Sequence, residues 1–136
     1  MPTPREALST AVERWNAGDL DGYLNLYADG IKLHGYSPEP MGKAEVRGFY
    51  EGIFSAFDSP KLAFEEVLWD ADSCAIRYTM TGRHVGDFMG VPATDTEIAL
   101  PGITILHFDG AQVRERFSQA DMLGLLLQLG AMPTPG

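Results

Sequence analysis

Near residue 61 the spacing of the apolar residues changes from a helical period to a strand period. Before that point, three segments carry apolar residues three and four positions apart, which is typical of amphipathic helices. After it, four segments alternate in the period-two manner of strands: residues 62–69, 73–86, 96–108 and 113–118. An almost wholly apolar run, residues 122–129, then ends at a glycine, as helices commonly do. This order predicts an α+β fold in which a long, bent antiparallel sheet wraps around helices and leaves a cone-shaped cavity.

The three early helices have separate sequence signals. The first begins at Thr3-Pro4, a capping residue followed by a proline suited to the first turn, and Gly18 ends it. A short second helix is predicted to include Tyr23 and Tyr27, and a strand is predicted over residues 31–36. The third helix has the broadest apolar face, which carries Val46, Phe49, Tyr50, Ile53, Phe54 and Phe57.

The strand over residues 73–86 is predicted to place a polar side chain in the interior. Its alternation places one row on a single face: Cys74, Ile76, Tyr78, Met80 and His84. His84 is therefore the polar end of an apolar row, and is either a satisfied core histidine or the base or hydrogen-bond donor of a site. The loop over residues 87–95 is too apolar for a plain solvent turn and is predicted to fold over another part of the protein. Pro101-Gly102 predicts a bulge or bend in the next strand.

Composition and charge exclude several classes of function. With 136 residues the chain is predicted to form one domain, residues 1–136. A net charge of −9 argues against a nucleic-acid partner, because such proteins cluster Lys and Arg, which are scattered here. The lone Cys74 fits a reducing compartment. We recognise neither a membrane helix nor a signal-peptide core, so a cytoplasmic protein without a membrane partner is expected.

The sequence lacks the motifs of common cofactor and metal sites. It contains no glycine-rich phosphate loop, no nucleophile elbow and no zinc-type cluster. Its histidines, His34, His84 and His107, do not have the spacing of metal ligands. We therefore expect a site without cofactor or metal, built from carboxylate, imidazole and aromatic groups. Such groups suit proton transfer at a carbon next to a carbonyl.

Asp121 lies at the junction of the last strand and the last helix, and it has two interpretations. It can cap the helix, because its carboxylate can accept from the first free N–H groups, and Ser118 three residues earlier fits a weak capping pattern. Spacing alone favours this cap. The other interpretation is a carboxylate at the rim of an apolar cavity.

Two motifs resemble those of a known family. The first is Gly82-Arg83-His84-Val85-Gly86-x-x-Met89-Gly90-x-Pro92-x-Thr94, followed by Pro101-Gly102-Ile103, and the second is Asp121-x-x-Gly124-x-Leu126-x-Gln128-Leu129-Gly130. Together they resemble the SnoaL-like polyketide cyclases of the NTF2-like superfamily, which has scytalone dehydratase and ketosteroid isomerase as more distant members. The resemblance covers about residues 82–130. It implies an NTF2-like cone, in which a curved antiparallel sheet wraps around N-terminal helices and encloses a pocket.

The resemblance also implies a mechanism. In the characterised cyclases the acid/base is the aspartate that opens the last helix, which matches Asp121. A histidine on the preceding strand aligns with Thr104 here. Asp121 would remove a proton from a carbon between carbonyls of a hydrophobic, polycyclic substrate and return it to the new alkoxide, in an aldol closure without a cofactor. His84, the second candidate catalytic residue, and Thr104 would orient substrate oxygens. The candidate substrate-binding residues are Trp15, Tyr27, His34, Phe49, Phe54, Met89, Thr104 and Phe117.

Two alternatives remain open. One is another cofactor-free NTF2-like enzyme, an isomerase, dehydratase or hydrolase, that uses the same Asp121. The other is a non-catalytic small-molecule-binding dimer module in which Asp121 is only a cap. A homodimer or higher homo-oligomer is expected through the outer face of the sheet, where four residues are predicted to leave apolar surface: Leu62, Phe64, Ile103 and Ile105.

Overall fold

The computed structural model of the protein describes residues 2–132, which form four helices and five strands. In chain order these are α1 (Pro4–Asn16), α2 (Leu20–Leu24), β1 (Tyr27–His34), α3 (Lys43–Ala56), β2 (Phe57–Asp70), β3 (Ser73–His84), β4 (Glu97–Asp109), β5 (Gln112–Ala120) and α4 (Met122–Gln128). The predicted change from helices to a strand meander is confirmed. It falls at residue 57, because α3 leads directly into β2. Within residues 2–132 no helix is long and apolar enough to cross a membrane.

The strands form one sheet in the order β1-β5-β4-β3-β2. The predicted antiparallel pairing is confirmed for β2 to β5, whereas β1 lies parallel to β5. A parallel pair needs a long connection between its strands, and residues 35–111, more than half of the chain, lie between these two. The N-terminal strand therefore closes one edge of the sheet beside the last strand.

The sheet curves around the helices. Helix α3 packs against both β1 and β2, which are the strands at opposite edges of the sheet. Helix α1 packs against β2 and α2, so the helices cover the concave face. The core lies between them, and it includes the predicted inner row of β3, in which Cys74, Ile76, Tyr78, Met80 and His84 are all buried.

The N-terminal cap is confirmed, and the second helix is shorter than predicted. Thr3 Oγ1 accepts from the Glu6 N–H at 3.2 Å, and the Thr3 N–H donates to the Glu6 carboxylate at 3.1 Å. This reciprocal pair is a capping box. Tyr27 begins β1 instead of continuing α2, because the preceding carbonyl, that of Leu26, accepts from the Val113 N–H of β5 at 2.7 Å.

The predicted bulge at Pro101-Gly102 is wrong, since β4 pairs with β3 without a break across both residues. The N and O atoms of a strand residue point to the same side. Pro101 O accepts from the Asp121 N–H at 3.0 Å, and the pairing of β4 with β5 begins only at Gly102. The nitrogen of Pro101 therefore faces the β5 side at a point beyond the last β4–β5 pair. No carbonyl of β5 needs a donor there, so the sheet tolerates a proline without an N–H.

A bulge is present instead in β5, where Arg114 is an extra residue. The pairs on either side of it are Phe108–Val113 and His107–Glu115. A bulge changes which side chains face inward. Val113 is fully buried before the bulge, whereas Arg116 lines the interior after it and Phe117 is 41% exposed.

The apolar residues predicted on the outer face divide between the two faces of the sheet. Leu62 and Phe64 face inward, because their partners in β3 belong to its inner row, so their assignment to the outer face is wrong. Ile103 and Ile105 do face outward, and they are 55% and 42% exposed.

Candidate active site

A cavity of about 300 Å³ lies between the helices and the concave face of the sheet. This volume is at the lower end of the range for small-molecule sites. Most of the wall is apolar or aromatic, and polar side chains come mainly from β5 and from tyrosines. The lining residues are Trp15, Tyr23, Gly35, Tyr36, Phe49, Tyr50, Ile53, Leu62, Tyr78, Met80, Phe88, Met89, Leu100, Arg116, Ser118, Gln119, Ala120 and Met122.

Arg116 extends from β5 into the interior, where all of its side-chain hydrogen bonds go to hydroxyl groups. Its Nε donates to Thr104 Oγ1 and to Ser118 Oγ, each at 2.9 Å. Its Nη1 donates to three tyrosine hydroxyls, those of Tyr27 at 2.5 Å, Tyr23 at 3.1 Å and Tyr50 at 3.2 Å. Within residues 2–132 no carboxylate pairs with this guanidinium, and its Nη2 has no hydrogen-bond partner.

The tyrosine hydroxyls also bond to one another in a chain. The oxygen–oxygen distances are 3.0 Å for Tyr23–Tyr27, 2.7 Å for Tyr27–Tyr50 and 2.7 Å for Tyr50–Tyr36. Four hydroxyls have four protons, and the three hydrogen bonds between them use three. One hydroxyl proton therefore remains for an acceptor other than these tyrosines. We call Arg116 and these four tyrosines the arginine–tyrosine cluster. Tyr78, the fifth tyrosine of the sequence, lines the cavity beside it.

Burial determines the charge state of this cluster. It raises the pKa of Tyr27 and of Tyr50 well above the usual value and outweighs the lowering by the charge of Arg116, so the hydroxyls keep their protons. Burial by itself lowers the pKa of Arg116, but the tyrosine oxygens more than offset this and the guanidinium stays charged. Burial raises the pKa of Tyr78, and the neighbouring Arg116 lowers it through its charge and through a hydrogen-bonding contact that falls short of good geometry.

The cavity wall therefore holds a positive charge that no acidic group among the described residues neutralises. Removing an ion from water without a counter-ion costs several kcal/mol. Neutral hydroxyls reduce this cost through hydrogen bonds, but they do not cancel the charge. An arrangement of this kind is typical of a functional site rather than of a core.

Asp121 caps α4 and is exposed, so the capping interpretation is confirmed. Its Oδ1 accepts from the Gly124 N–H at 2.9 Å. A Cβ at position 124 would lie 2.2 Å from Oδ2, so any other residue there would displace this carboxylate. The neighbours Ala120 and Met122 line the cavity, whereas Asp121 itself does not. The structure places this carboxylate at the edge of the cavity, outside its wall.

His84 is fully buried on the inner face, but it is not part of the cavity wall. Its ring packs against that of Phe57, with 5.4 Å between the ring centroids. Nδ1 accepts from the Thr94 N–H at 3.2 Å, so Nδ1 carries no proton and the neutral ring is protonated at Nε2. That Nε2–H is buried and has no partner within the described residues. These contacts are those of a residue that fixes the loop after β3.

Three of the predicted substrate-binding residues line the cavity, namely Trp15, Phe49 and Met89. Tyr27 and Thr104 lie behind its wall, where their hydroxyls accept hydrogen bonds from Arg116. These two residues act on the cavity indirectly, through the guanidinium and through the hydroxyls of Tyr50 and Ser118, which line the wall.

The remaining three predicted residues lie outside the cavity. Phe54 packs behind Trp15, with 4.7 Å between the ring centroids. His34 and Phe117 stack on the outer face of the sheet at 4.4 Å, and His34 Nε2 lies 2.8 Å from Glu115 Oε2. Their assignment to the pocket is wrong because the bulge in β5 turns Phe117 outward, and His34 lies beside Phe117 in the neighbouring strand.

Arg116 is not among the site residues that the sequence predicts. Strict alternation along β5 would place it on the same face as the exposed Arg114, and nothing in the sequence marks the bulge between them. One signal was available. Tyr50 and Tyr78 were both predicted on inward faces, and buried hydroxyls require polar partners. That requirement pointed to a polar group in the interior, although not to which one.

Within residues 2–132, no three His, Cys, Asp or Glu side chains are grouped so that they could hold a metal ion. The chemistry available from the described side chains is proton transfer and hydrogen bonding to oxygen, around an apolar ligand.

A curved sheet closed over a cavity by N-terminal helices is the NTF2-like fold, and solved SnoaL-like structures share it. The sequence profile of the SnoaL-like polyketide cyclases matches residues 5–129. The chain belongs to this family, and it is an enzyme of the cyclase type.

Named relatives agree with this assignment. The aklanonic acid methyl ester cyclase DnrD of Streptomyces peucetius is 29% identical over 99% of this chain and 97% of its own length. The nogalonic acid methyl ester cyclase of Streptomyces nogalater is 27% identical over 88% of this chain and 91% of its own length. Among solved structures, AclR of Streptomyces galilaeus, a proposed hydroxylase, is similar with a TM-score of 0.88 at 27% identity, covering 96% of this chain and 97% of AclR.

Proposed function

We propose that the protein catalyses cofactor-independent aldol closure of a hydrophobic, polycyclic carbonyl substrate, with Asp121 as the residue that transfers the proton. The observation that carries the proposal is the cavity of about 300 Å³, whose apolar and aromatic walls contain one charged hydrogen-bond donor. Such a cavity suits a flat ligand whose polar atoms are carbonyl oxygens. Methyl esters of the kind that the named relatives cyclise belong to this class of substrate.

The reaction then needs one group that accepts and returns a proton. The carboxylate takes the proton of a carbon between two carbonyls, and the electron pair of that C–H bond forms the enolate. The enolate carbon attacks a second carbonyl of the same molecule, so a C–C bond forms and the attacked oxygen becomes an alkoxide. The carboxyl group returns its proton to that alkoxide, and the carboxylate is regenerated.

The position of Asp121 supports this role. Its neighbours on both sides line the cavity, so a ligand that fills the cavity and extends past this edge would cover the carboxylate. Oδ1 is engaged by the cap, whereas Oδ2 has no hydrogen-bond partner within the described residues and can take a proton. His84, which lies away from the wall, is assigned to holding the loop and takes no part in the proton transfer.

The test is the turnover of Asp121→Asn with aklanonic acid methyl ester as the first substrate. Asparagine caps a helix about as well as aspartate, so the melting temperature should change little. The amide cannot accept the proton, so the rate of cyclisation should fall by at least about 100-fold. A folded Asn variant with unchanged turnover would remove Asp121 from the mechanism.

Asp19→Asn is the matched control. Asp19 caps α2 through the Gly22 N–H at 2.9 Å, with the same Asp-x-x-Gly spacing, but it does not border the cavity. Its substitution should leave turnover unchanged. A loss of turnover in both variants would indicate a general effect of capping rather than catalysis.

A second candidate is cofactor-free hydroxylation, which is favoured by the similarity to AclR over nearly the whole chain. It would use the same cavity and an enolate of the same kind. Molecular oxygen would add to the enolate carbon to give a hydroperoxide, and an external two-electron reductant would convert this to the hydroxyl group and water. An oxygen electrode separates the two reactions. Ring closure proceeds at an equal rate under nitrogen, whereas hydroxylation stops.

For the assembly, the proposal is a homodimer through the outer face of the sheet. Apolar residues form one stripe across this face, because four of them pair side by side in successive strands: Leu68, the half-buried Ala75, Ile105 and Phe117. The exposed Ile103 lies on the same face, two residues before Ile105. A contiguous apolar surface on one face of a small protein is typical of an interface.

A further inference from the structure

We propose that Nη2 of Arg116 and the hydroxyl of Tyr78 form an oxyanion site, which holds the substrate carbonyl oxygen that becomes negative when the adjacent carbon loses its proton. The reaction in which this occurs rests on the proposed function, whereas the binding chemistry can be tested without turnover. The two groups share three properties. Each belongs to a residue that lines the cavity, and each can donate a hydrogen bond. Within residues 2–132 neither makes a hydrogen bond of good geometry, although Arg116 lies close enough to Tyr78 to lower the pKa of its hydroxyl.

The surroundings of Arg116 need an acceptor. Its Nε and Nη1 are already bonded to hydroxyl oxygens, so only the Nη2 protons remain to be donated. The linked tyrosines have one proton more than their mutual bonds use. Three of those four tyrosines, Tyr23, Tyr36 and Tyr50, line the cavity. A ligand atom that fits here has lone pairs and no proton of its own.

The charge makes the requirement more specific. The protein carries 19 acidic residues, yet among the described residues none pairs with Arg116. A void of about 20 Å³ beside Arg116 and Tyr78 has room for one water. Such a water would satisfy a hydrogen bond and leave the charge uncompensated. A ligand oxygen that is negative, or becomes negative during the reaction, accepts the hydrogen bond and also compensates the charge.

The site acts without transferring a proton itself. When the C–H proton moves to the carboxylate, the electron pair forms the C=C bond of the enolate and the charge develops on the carbonyl oxygen. Arg116 and Tyr78 remain protonated and only donate hydrogen bonds to that oxygen. When the enolate carbon attacks the second carbonyl, the charge leaves this oxygen and the C=O bond is restored. Donors that already point at the developing charge stabilise the transition state more than the ground state.

The experiment compares ligands that differ mainly in the charge on one oxygen. The first is 2-hydroxy-1,4-naphthoquinone, which is an enolate at neutral pH, and the second is its neutral methyl ether. Titration calorimetry measures both dissociation constants. The unaltered protein should bind the enolate about 10- to 100-fold more tightly than the ether, as expected for hydrogen bonds to a charged group.

Variants locate the preference. Arg116→Met should abolish it and leave the affinity for the ether nearly unchanged. The matched control is Arg114→Met, which removes an exposed arginine of the same strand and should keep the full preference. Because Arg116→Met removes five hydrogen bonds and can fail to fold, Tyr78→Phe provides an independent variant. It leaves the five hydrogen bonds of Arg116 intact and should reduce the preference severalfold.

Several results would overturn the inference. These are equal affinity of the unaltered protein for the two probes, or an undiminished preference in a folded Arg116→Met or in Tyr78→Phe. A third probe, 2-naphthoate, separates a carboxylate site from an oxyanion site. Tight binding of the naphthoate together with no preference for the enolate would show that the site serves a free acid. A protein with the enolate preference but no cyclase turnover would retain the oxyanion site and lose the proposed function.

Discussion

At position 102 the absence of a side chain decides where Tyr78 can lie. The two residues are paired across β3 and β4, and the tyrosine ring lies over the glycine. A Cβ on Gly102 would be 2.5 Å from Cζ and from the hydroxyl oxygen of this ring. Both atoms of Tyr78 would have to move. The hydroxyl is one of the two donors of the proposed oxyanion site, so that donor would be displaced. Gly102 is thus required by the side chain opposite it rather than by a bend in the strand.

We therefore expect Gly102→Ala to destabilise the protein by about 1–3 kcal/mol, as overpacking of a tight interior does. Chemical denaturation measures this cost. Gly48→Ala is the control, because Gly48 is an exposed helical position with nothing within 4 Å of its added Cβ. That substitution should stabilise the protein by about 0.5–1 kcal/mol. Equal effects at the two positions would contradict the close packing of Tyr78.

The buried tyrosines predict a dependence of stability on alkaline pH. Burial raises the pKa of Tyr27 and Tyr50 well above 10.0 in the folded protein. Their contribution to the free energy of unfolding is therefore fully present below pH 10 and is lost as the pH rises above it. Absorbance at 295 nm should show these two tyrosines ionising only together with unfolding. Ionisation of all five tyrosines in a folded protein at pH 10 would contradict the buried cluster.

At the scale of elements, the sequence predicted those strands that keep strict alternation. β3 has no bulge relative to β4, so its inner row could be read directly, including the burial of His84. β5 contains the bulge at Arg114, and period-two counting then assigned Phe117 to the wrong face and left Arg116 unrecognised. A bulge depends on the register of both neighbouring strands, which a single sequence does not show.

The loop after β3 gives a prediction at the same scale. Thr94 N–H donates to His84 Nδ1, and the backbones pair through His84 N–H to Thr96 O at 2.9 Å and Asp95 N–H to His84 O at 2.8 Å. His84→Leu keeps the buried volume but removes the acceptor. The loop amides should then exchange with deuterium about tenfold faster, with stability changed by no more than about 1 kcal/mol.

His84→Asn separates this role from catalysis. Asparagine Oδ1 lies near the position of Nδ1 and can accept the same hydrogen bond, so exchange in the loop should stay slow. Phe88 and Met89 of this loop line the cavity, so the Leu variant should raise KM more than it lowers kcat. A loss of kcat in both variants, with an unchanged loop, would return His84 to the catalytic residues.

At the scale of the whole molecule, the site depends on contacts that no local pattern contains. The arginine–tyrosine cluster joins α2, β1, the segment after β1, α3 and β5, which meet only when the sheet has curved around the helices. The fold class followed from the order of helical and strand periods, because that order alone limits the possible layers. The cluster did not follow from it, because Arg116 lies at least 66 residues after the tyrosines that it contacts.

The proposed dimer is tested by changing one residue in the middle of the apolar stripe. Ile105→Lys would place a charge in the interface, so light scattering at micromolar concentration should change from a dimer to a monomer. Thr81→Lys is the control, since Thr81 is exposed on the outer face but away from the stripe. A dimer that survives Ile105→Lys would have to use another surface.

Because β1 pairs with β5, the first strand of the sheet has no partner until the last strand has been synthesised. Closing so long a stretch of chain is entropically costly before any contact rewards it, so this pairing is expected to form late and to slow folding. The tyrosines around Arg116 come from earlier segments, and the guanidinium arrives with β5. The strand that closes the cavity is therefore also the strand that brings the positive charge of Arg116. The closed cavity and its charge are completed in the same step of folding.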